Sequence, residues 1–238
     1  VNGHGEMGLV LGEDIDLRIF FSAWAHAFAV TSEGRKGTMY SLQFFDRHGD
    51  AIHKIYLTDA SDKTKYDELV SEYKSDDQSK RITVEPRTVA EADRPDTEID
   101  KAGFRQAWRE LKDTHDFFLI LRKFKVGREQ GLRIADREFA YPVSVDSFKF
   151  VLNKAAERGL PIMVFVGNDG MIQIHTGEIE NVLEARGWFN VMDERFNLHI
   201  DQSNIGSAWV VRKPTDDGIV TSLEIFNSKG ENVALFFG

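Results

Sequence analysis

The sequence predicts an α+β fold built from two tandem similar units, each with helices followed by a large antiparallel β-sheet. Three observations predict it. The chain repeats itself, since SLQFFDRHGDAIHKIY (Ser41 to Tyr56) aligns with SLEIFNSKGENVALFF (Ser222 to Phe237) at an offset of 181 residues. Short runs rich in aromatic and β-branched residues follow one another with turn signals between them, the mark of antiparallel strands. A polar, proline-bearing stretch, SDDQSKRITVEPRTVAEADRPDTEID (Ser75 to Asp100), separates the two copies and reads as a surface crossing.

The repeat holds without gaps beyond its best-matched stretch. Leu17, Arg18 and Ile19 pair with Leu198, His199 and Ile200; Ala27 to Val30 pair with Ala208 to Val211; Gly37 pairs with Gly218 and Gly49 with Gly230. The expected partition is residues 1–74 for the mostly-sheet C-terminal part of the first unit, 75–100 for the linker and 101–238 for the second unit. Applied to Lys101, the offset places the start of the first unit about 80 residues before Val1. The first unit is therefore expected to be truncated at its N-terminus. Thr58 to Lys74 has no counterpart after Gly238, so the second unit is expected to lack its tail.

The elements follow in order. DLRIFF, HAFAVTS, MYSLQFFD and AIHKIYL read as strands, with RHGD a hairpin turn around Gly49. Thr64 to Tyr73 reads as a short helix. Phe104 to Lys123 reads as one amphipathic helix, with Phe104, Trp108, Leu111, His115, Phe118 and Leu119 on one side. Arg128 to Phe139 and Val145 to Arg158 read as further helices, the latter stopped by Gly159. PIMVFVGNDGMIQIHTG reads as a hairpin around Asn168-Asp169-Gly170, and NLHI, SAWVVRK and VTSLEIF continue the antiparallel set.

Composition narrows the chemistry. The formal charge of -9 argues against a general nucleic-acid or anionic-membrane binder. No cysteine occurs, which removes disulfides, thiolate catalysis, zinc-thiolate sites and iron–sulfur clusters. No apolar run is long enough to span a bilayer. No signal-peptide pattern appears, and the chain begins at Val1. Eighteen phenylalanines suit a packed core or a flat apolar ligand. No G-x-S-x-G, Walker or G-x-G-x-x-G pattern occurs, so the common hydrolase and nucleotide sites lack support.

Several residues invite two readings each. On the expected helix, His115 faces where Leu111, Phe118 and Leu119 face. It is then either a core histidine bonded to a backbone carbonyl or an axial ligand, since haem iron is commonly held by an imidazole in an apolar pocket. Arg18 shares a strand face with Asp16 and Phe20; it is a rung of a surface ladder or a cation reaching over a ligand. Arg212 and Lys213 close a strand before Pro214 and point to opposite faces; they are solubilising charges, or one of them clamps a propionate. His4, His26, His48, His53, His175 and His199 show no metal-ligand spacing. Asp96 to Asp100 reads as a solvated linker.

GLVLGEDIDLRIFFSAWAHAFAV, SLQFFDRHGDAIHKIYL, WRELKDTHDFF, IMVFVGNDGMIQIHTG, FNLHI and AWVVRKPTDDGIVTSLEIF together resemble the bacterial HemS/ChuS-type haem-utilisation family, over essentially the whole chain. The resemblance implies a cytoplasmic protein of two similar α+β halves that binds haem (protoporphyrin IX iron) beside the second half. It implies that the histidine of D-x-H-x-F-F, here His115, is the axial ligand of the iron. It implies that Arg18 reaches the opposite haem face and that Phe20 packs on the ring. Arg128 and the lysine of R-K-P-T, here Lys213, would serve the propionates, and Phe237 completes the contact set. The implied partners are haem and a haem oxygenase or other haem acceptor, with no nucleic acid and no stable membrane insertion. Two functions follow from it, a carrier that hands haem on and an enzyme that opens the porphyrin. One departure is Leu235, where members of the family often have glutamine; a second is the absence of the segment that follows Gly238 in the family.

Overall fold

The computed structural model describes residues 2–4, 7–35, 37–79, 81–87 and 93–238, with side chains from residue 7 onward. Contacts divide the chain into two compact units. The first comprises 1–10, 17–90 and 168–172; the second comprises 11–16, 91–167 and 173–238.

The first unit contains strands β1 (Asn2–His4), β2 (Met7–Leu11) and β3 (Asp16–Phe20), which neighbour one another in that order. A second antiparallel ladder joins β4 (His26–Gly34), β5 (Gly37–Phe45) and β6 (Ala51–Tyr56). Helix α1 (Lys63–Tyr73) is capped by the Asp62 carboxylate, which accepts from the N–H groups of Thr64 and Lys65. It buries only Tyr66, whose hydroxyl donates to the Ser41 carbonyl at 3.3 Å. Leu17, Ile52 and Met171 form a small core.

The second unit begins its helical half with α2 (Lys101–Arg109), α3 (Phe117–Phe124) and α4 (Arg128–Ile134). Then come β7 (Ala140–Val143), α5 (Ser147–Arg158), β8 (Ile162–Asn168), β9 (Met171–Gly177), β10 (Val182–Ala185), β11 (Trp188–Met192), β12 (Asn197–Asp201), β13 (Ile205–Thr215), β14 (Gly218–Asn227) and β15 (Asn232–Phe237). The large sheet runs β9-β8-β15-β14-β13-β7, and β10-β11-β12 form a separate ladder. Both faces of the large sheet carry packed residues. On one, Ala208, Leu223, Ile225, Ala234 and Phe236 pack with Phe148 and Leu152 of α5 and with Phe189 and Val191 of β11. On the other, Val211 and Phe226 pack with Phe104, Trp108, Phe117 and Leu132 of the helices.

The repeat is visible residue by residue. The bounds of β3, β4, β5 and β6 plus 181 fall on β12, β13, β14 and β15 to within two residues at each end. Gly37 and Gly218 have φ of 122° and 129°, and Gly49 and Gly230 have 85° and 78°. The ladder irregularity at Phe44/Phe45 recurs at Ile225/Phe226. The fold is α+β, as expected.

Three expectations are corrected. The single helix from Phe104 to Lys123 is two helices. The first ends at Glu110, and the Asp113 side chain accepts the His115 N–H to start a short 3-10 turn, Thr114–Asp116, before α3. The interruption resets the helical phase. Phe104, Trp108 and Leu111 stay buried, but in α3 the inward residues are Phe117, Ile120 and Leu121, while Phe118 and Leu119 are exposed. Helix α4 ends at Ile134, short of the expected Phe139, and a turn over 135–139 leads into β7, the edge partner of β13. The stretch Asp96 to Asp100 is not merely solvated. Asp96 takes hydrogen bonds from Arg133 and Gln130, which hold its carboxyl down to about 2, Ile99 is buried, and Asp100 caps α2.

Gly218 closes the β13–β14 turn at a φ that side chains rarely adopt, and a Cβ there meets nothing within 4 Å. Gly218→Ala therefore costs only backbone strain, about 1–3 kcal/mol in urea unfolding. An Ala variant as stable as the parent contradicts the turn described.

Candidate functional site

His115 sits in the turn that restarts the helix. Its side chain is 92% exposed. The position expected on the apolar side of one long helix is thus turned outward by the break at Glu110 to Asp113. One oxygen of Asp113 accepts the His115 backbone N–H at 2.8 Å and meets the ring Nδ1 at 2.6 Å. These two hydrogen bonds from His115 hold the Asp113 carboxyl below the usual carboxylate range. An ionised carboxylate only accepts, so in the neutral ring Nδ1 carries the proton and Nε2 keeps the lone pair.

Phe117, two residues further along the chain, roofs a buried charge cluster. Arg128 opens α4 and binds Glu224 of β14 with both arms of its guanidinium, at 2.7 and 2.8 Å. Lys213 of β13 donates to the same carboxylate at 3.1 Å, and so does the Ser222 hydroxyl at 3.2 Å. The Phe117 ring lies 5.4 Å from the Arg128 guanidinium and 4.8 Å from the Lys213 ammonium, within cation–π range. Glu224 is fully buried. Burial pushes its carboxyl up, but the charges of Arg128 and Lys213 prevail and hold it at about 2. Burial also pushes the Lys213 ammonium down, against the pull of Glu224.

Arg128 and Lys213 are the two cations that the family resemblance assigns to the propionates. Both are committed to Glu224, and Lys213 is only 4% exposed. The Arg128 side chain keeps 29% exposure and is the member with access to solvent. Two cations against one anion leave the cluster with one net positive charge. Of the adjacent pair, it is Lys213 that turns to this face, while the Arg212 carbonyl accepts from the Trp108 indole at 3.0 Å.

The same sheet face continues into an apolar floor. Directly opposed residues on antiparallel strands share a face. Leu235 opposes both Glu224 and Phe165, and Phe237 opposes both Ser222 and Met163. Leu235, Phe237 and Phe165 are half-buried, and Met163 is 36% exposed. The Phe165 and Phe237 rings meet edge-on, with centroids 5.1 Å apart. The second unit therefore brings Arg128, Lys213 and Phe237 onto one sheet face and places His115 two residues before Phe117, which covers the two cations.

Arg18 and Phe20 belong to the first unit. They share a face of β3 by strand alternation, and the Phe20 N–H donates to the Gly170 carbonyl at 2.9 Å. His199 bonds Asn190 at 2.7 Å, and His175 stacks on Phe196 with centroids 3.8 Å apart. The side chain of His4 lies outside the described residues. Among the described residues, no helix is long and apolar enough to cross a membrane.

Sequence reasoning missed Glu224, Asp113 and Phe165. A carboxylate inside SLEIF, flanked by residues of a strand buried on both faces, was the available signal for Glu224. The D-x-H spacing was the signal for Asp113.

The sequence profile of the family described as "Haemin-degrading HemS.ChuX domain" matches residues 1–73 and 125–238. The chain belongs to the HemS/ChuX family. It is 39% identical to the hemin transport protein HemS of Yersinia enterocolitica, across all of this chain and 68% of that protein. It superposes on holo-PhuS, a heme-binding protein from Pseudomonas aeruginosa, with a TM-score of 0.96 at 43% identity, covering 100% of this chain and 69% of PhuS. It superposes on ChuS, a heme degrading enzyme of Escherichia coli O157:H7, with a TM-score of 0.90 at 36% identity, covering 98% and 68%. The HemS/ChuX resemblance carried by the sequence motifs is thereby met.

Glu224 links the site to stability. Its folded value of about 2 lies below its ordinary 4.5, so its stabilisation is fully present above pH 4.5 and fades as pH falls through 2. Glu224→Gln leaves two cations without a buried counter-charge and is expected to cost roughly 3–5 kcal/mol at pH 7. The gap between parent and variant should narrow as chemical unfolding is repeated toward pH 2. A gap constant with pH contradicts the assignment.

Proposed function

We propose that this protein binds haem through Nε2 of His115 and hands it to an acceptor. The observation that carries the reading is the outward His115 ring, with Nδ1 tied to Asp113 and the Nε2 lone pair uncommitted. A neutral imidazole held in that way is a suitable axial donor for haem iron. The half-buried floor of Met163, Phe165, Leu235 and Phe237 supports the same reading. Covering it with a flat apolar ring is favourable by about 25 cal/mol per Å² of apolar surface removed from water. The single net positive charge of the Arg128, Lys213 and Glu224 cluster favours an anionic edge, with Arg128 the exposed contact. We assign Arg18 and Phe20 to the same ligand on the strength of the family resemblance alone. Haem supplies the iron and its redox chemistry; the protein supplies the imidazole, the apolar floor and the charge.

The second reading is an enzyme that opens the porphyrin. What favours it is the 36% identity to ChuS, described as a heme degrading enzyme. The second unit presents an imidazole, an apolar floor and a cationic edge, which are the parts that holding and releasing haem require. Carriage is therefore the main proposal.

His115→Ala is expected to remove the axial-imidazole Soret spectrum and to weaken haem binding. An unchanged spectrum and affinity would end the assignment. To separate the two functions, the haem-loaded protein is given a reductant in air with catalase present. A Soret band that persists, and moves to an added acceptor, is the outcome expected of a carrier. Loss of the band with release of iron and a defined tetrapyrrole product overturns carriage in favour of degradation.

A further inference from the structure

We infer that Asp113 is the positioning residue of the iron ligand, fixing which nitrogen of His115 is free and raising its donor strength. This rests on the reading of His115 as the axial ligand. One Asp113 oxygen holds both the backbone N–H of His115, at 2.8 Å, and the ring Nδ1, at 2.6 Å. The backbone bond fixes the start of the residue and the ring bond fixes its far end, so rotation about both side-chain torsions is restrained. Donor and acceptor are two positions apart in the chain, so the restraint is local and does not depend on distant packing. A carboxylate facing Nδ1–H draws that proton toward itself and increases electron density at Nε2, as carboxylate–histidine pairs do at metal sites. A stronger donor favours the higher oxidation state of the metal it binds. The consequence for this chain is a preference for ferric over ferrous haem.

The plain alternative is that Asp113 serves only as the cap of the Thr114–Asp116 turn. The two roles separate chemically. Asparagine caps a helix start about as well as aspartate, but it brings no negative charge to Nδ1–H. Asp113→Asn therefore preserves the turn and removes the electronic effect.

The test compares the full chain with its Asp113→Asn variant, both loaded with haem, by spectroelectrochemistry and by resonance Raman of the iron–histidine stretch. Groups that hydrogen-bond a metal-ligating histidine are commonly worth 10–100-fold in metal affinity. A tenfold loss of ferric relative to ferrous affinity raises the one-electron midpoint potential by about 59 mV. The expected result is a rise of at least that size, with a lower iron–histidine stretching frequency and an unchanged thermal melt of the apoprotein. Loss of the axial-imidazole spectrum in Asp113→Asn, with the melt unchanged, also supports the inference. An Asn variant matching the parent in potential and stretch, while His115→Ala loses the imidazole spectrum, overturns this inference and leaves the haem-binding proposal standing. A His115→Ala variant with the parent's spectrum overturns both.

Discussion

The Asp113 carboxylate, by taking the N–H of His115, starts the turn from which a new helical phase begins. Everything distinctive about the second unit's helical face follows from that exchange. Had the helix continued from α2, the ring of His115 would lie with Trp108 and Leu111 against the sheet. With the break, Phe117 enters the core instead, and its ring covers the two cations that hold Glu224. The histidine is left outside with one nitrogen committed and one free. A single local hydrogen bond thus decides which side chain is structural and which is available.

Beneath Phe117, the sheet changes character. Strand β14 carries a buried carboxylate that must be paired, and its neighbours β15 and β8 carry Leu235, Phe237 and Phe165 half in contact with solvent. The buried ion cluster is weak evidence for stability as such, because desolvation opposes the Coulombic gain. Its physical effect here is positional: Glu224 draws α4 down onto β13 and β14 through Arg128, and holds Lys213 at 4% exposure. The helices can then cover the β13 and β14 side of the face while the β15 and β8 side remains an open floor.

How far this was legible in the sequence depends on the length scale of each signal. The repeat was legible because it spans many residues and includes the glycines that fix turns; Gly37 and Gly218 share a positive φ as their alignment required. Strands β1, β2, β7, β10 and β11, each of three to five residues, went unread. The helix break went unread for a different reason. Phe104, Trp108, Leu111, His115 and Phe118 keep helical spacing straight through it, and a capping aspartate at position 113 was outweighed by that pattern. Motif matching marked Arg128 and Lys213 but gave no sign of their partner, since a lone glutamate in an alternating strand ordinarily faces water. His115 was expected on the apolar side of one long helix, and the break turns it outward instead.

The central claim is that His115 Nε2 bonds the iron of bound haem. The most direct measurement is a crystal structure of this chain grown with haem. It should show Nε2 of His115 at bonding distance from the iron, Nδ1 still on Asp113, and the porphyrin against Phe165 and Phe237. Haem held by another side chain, or lying away from the Thr114–Asp116 turn with His115 still in solvent, contradicts the account.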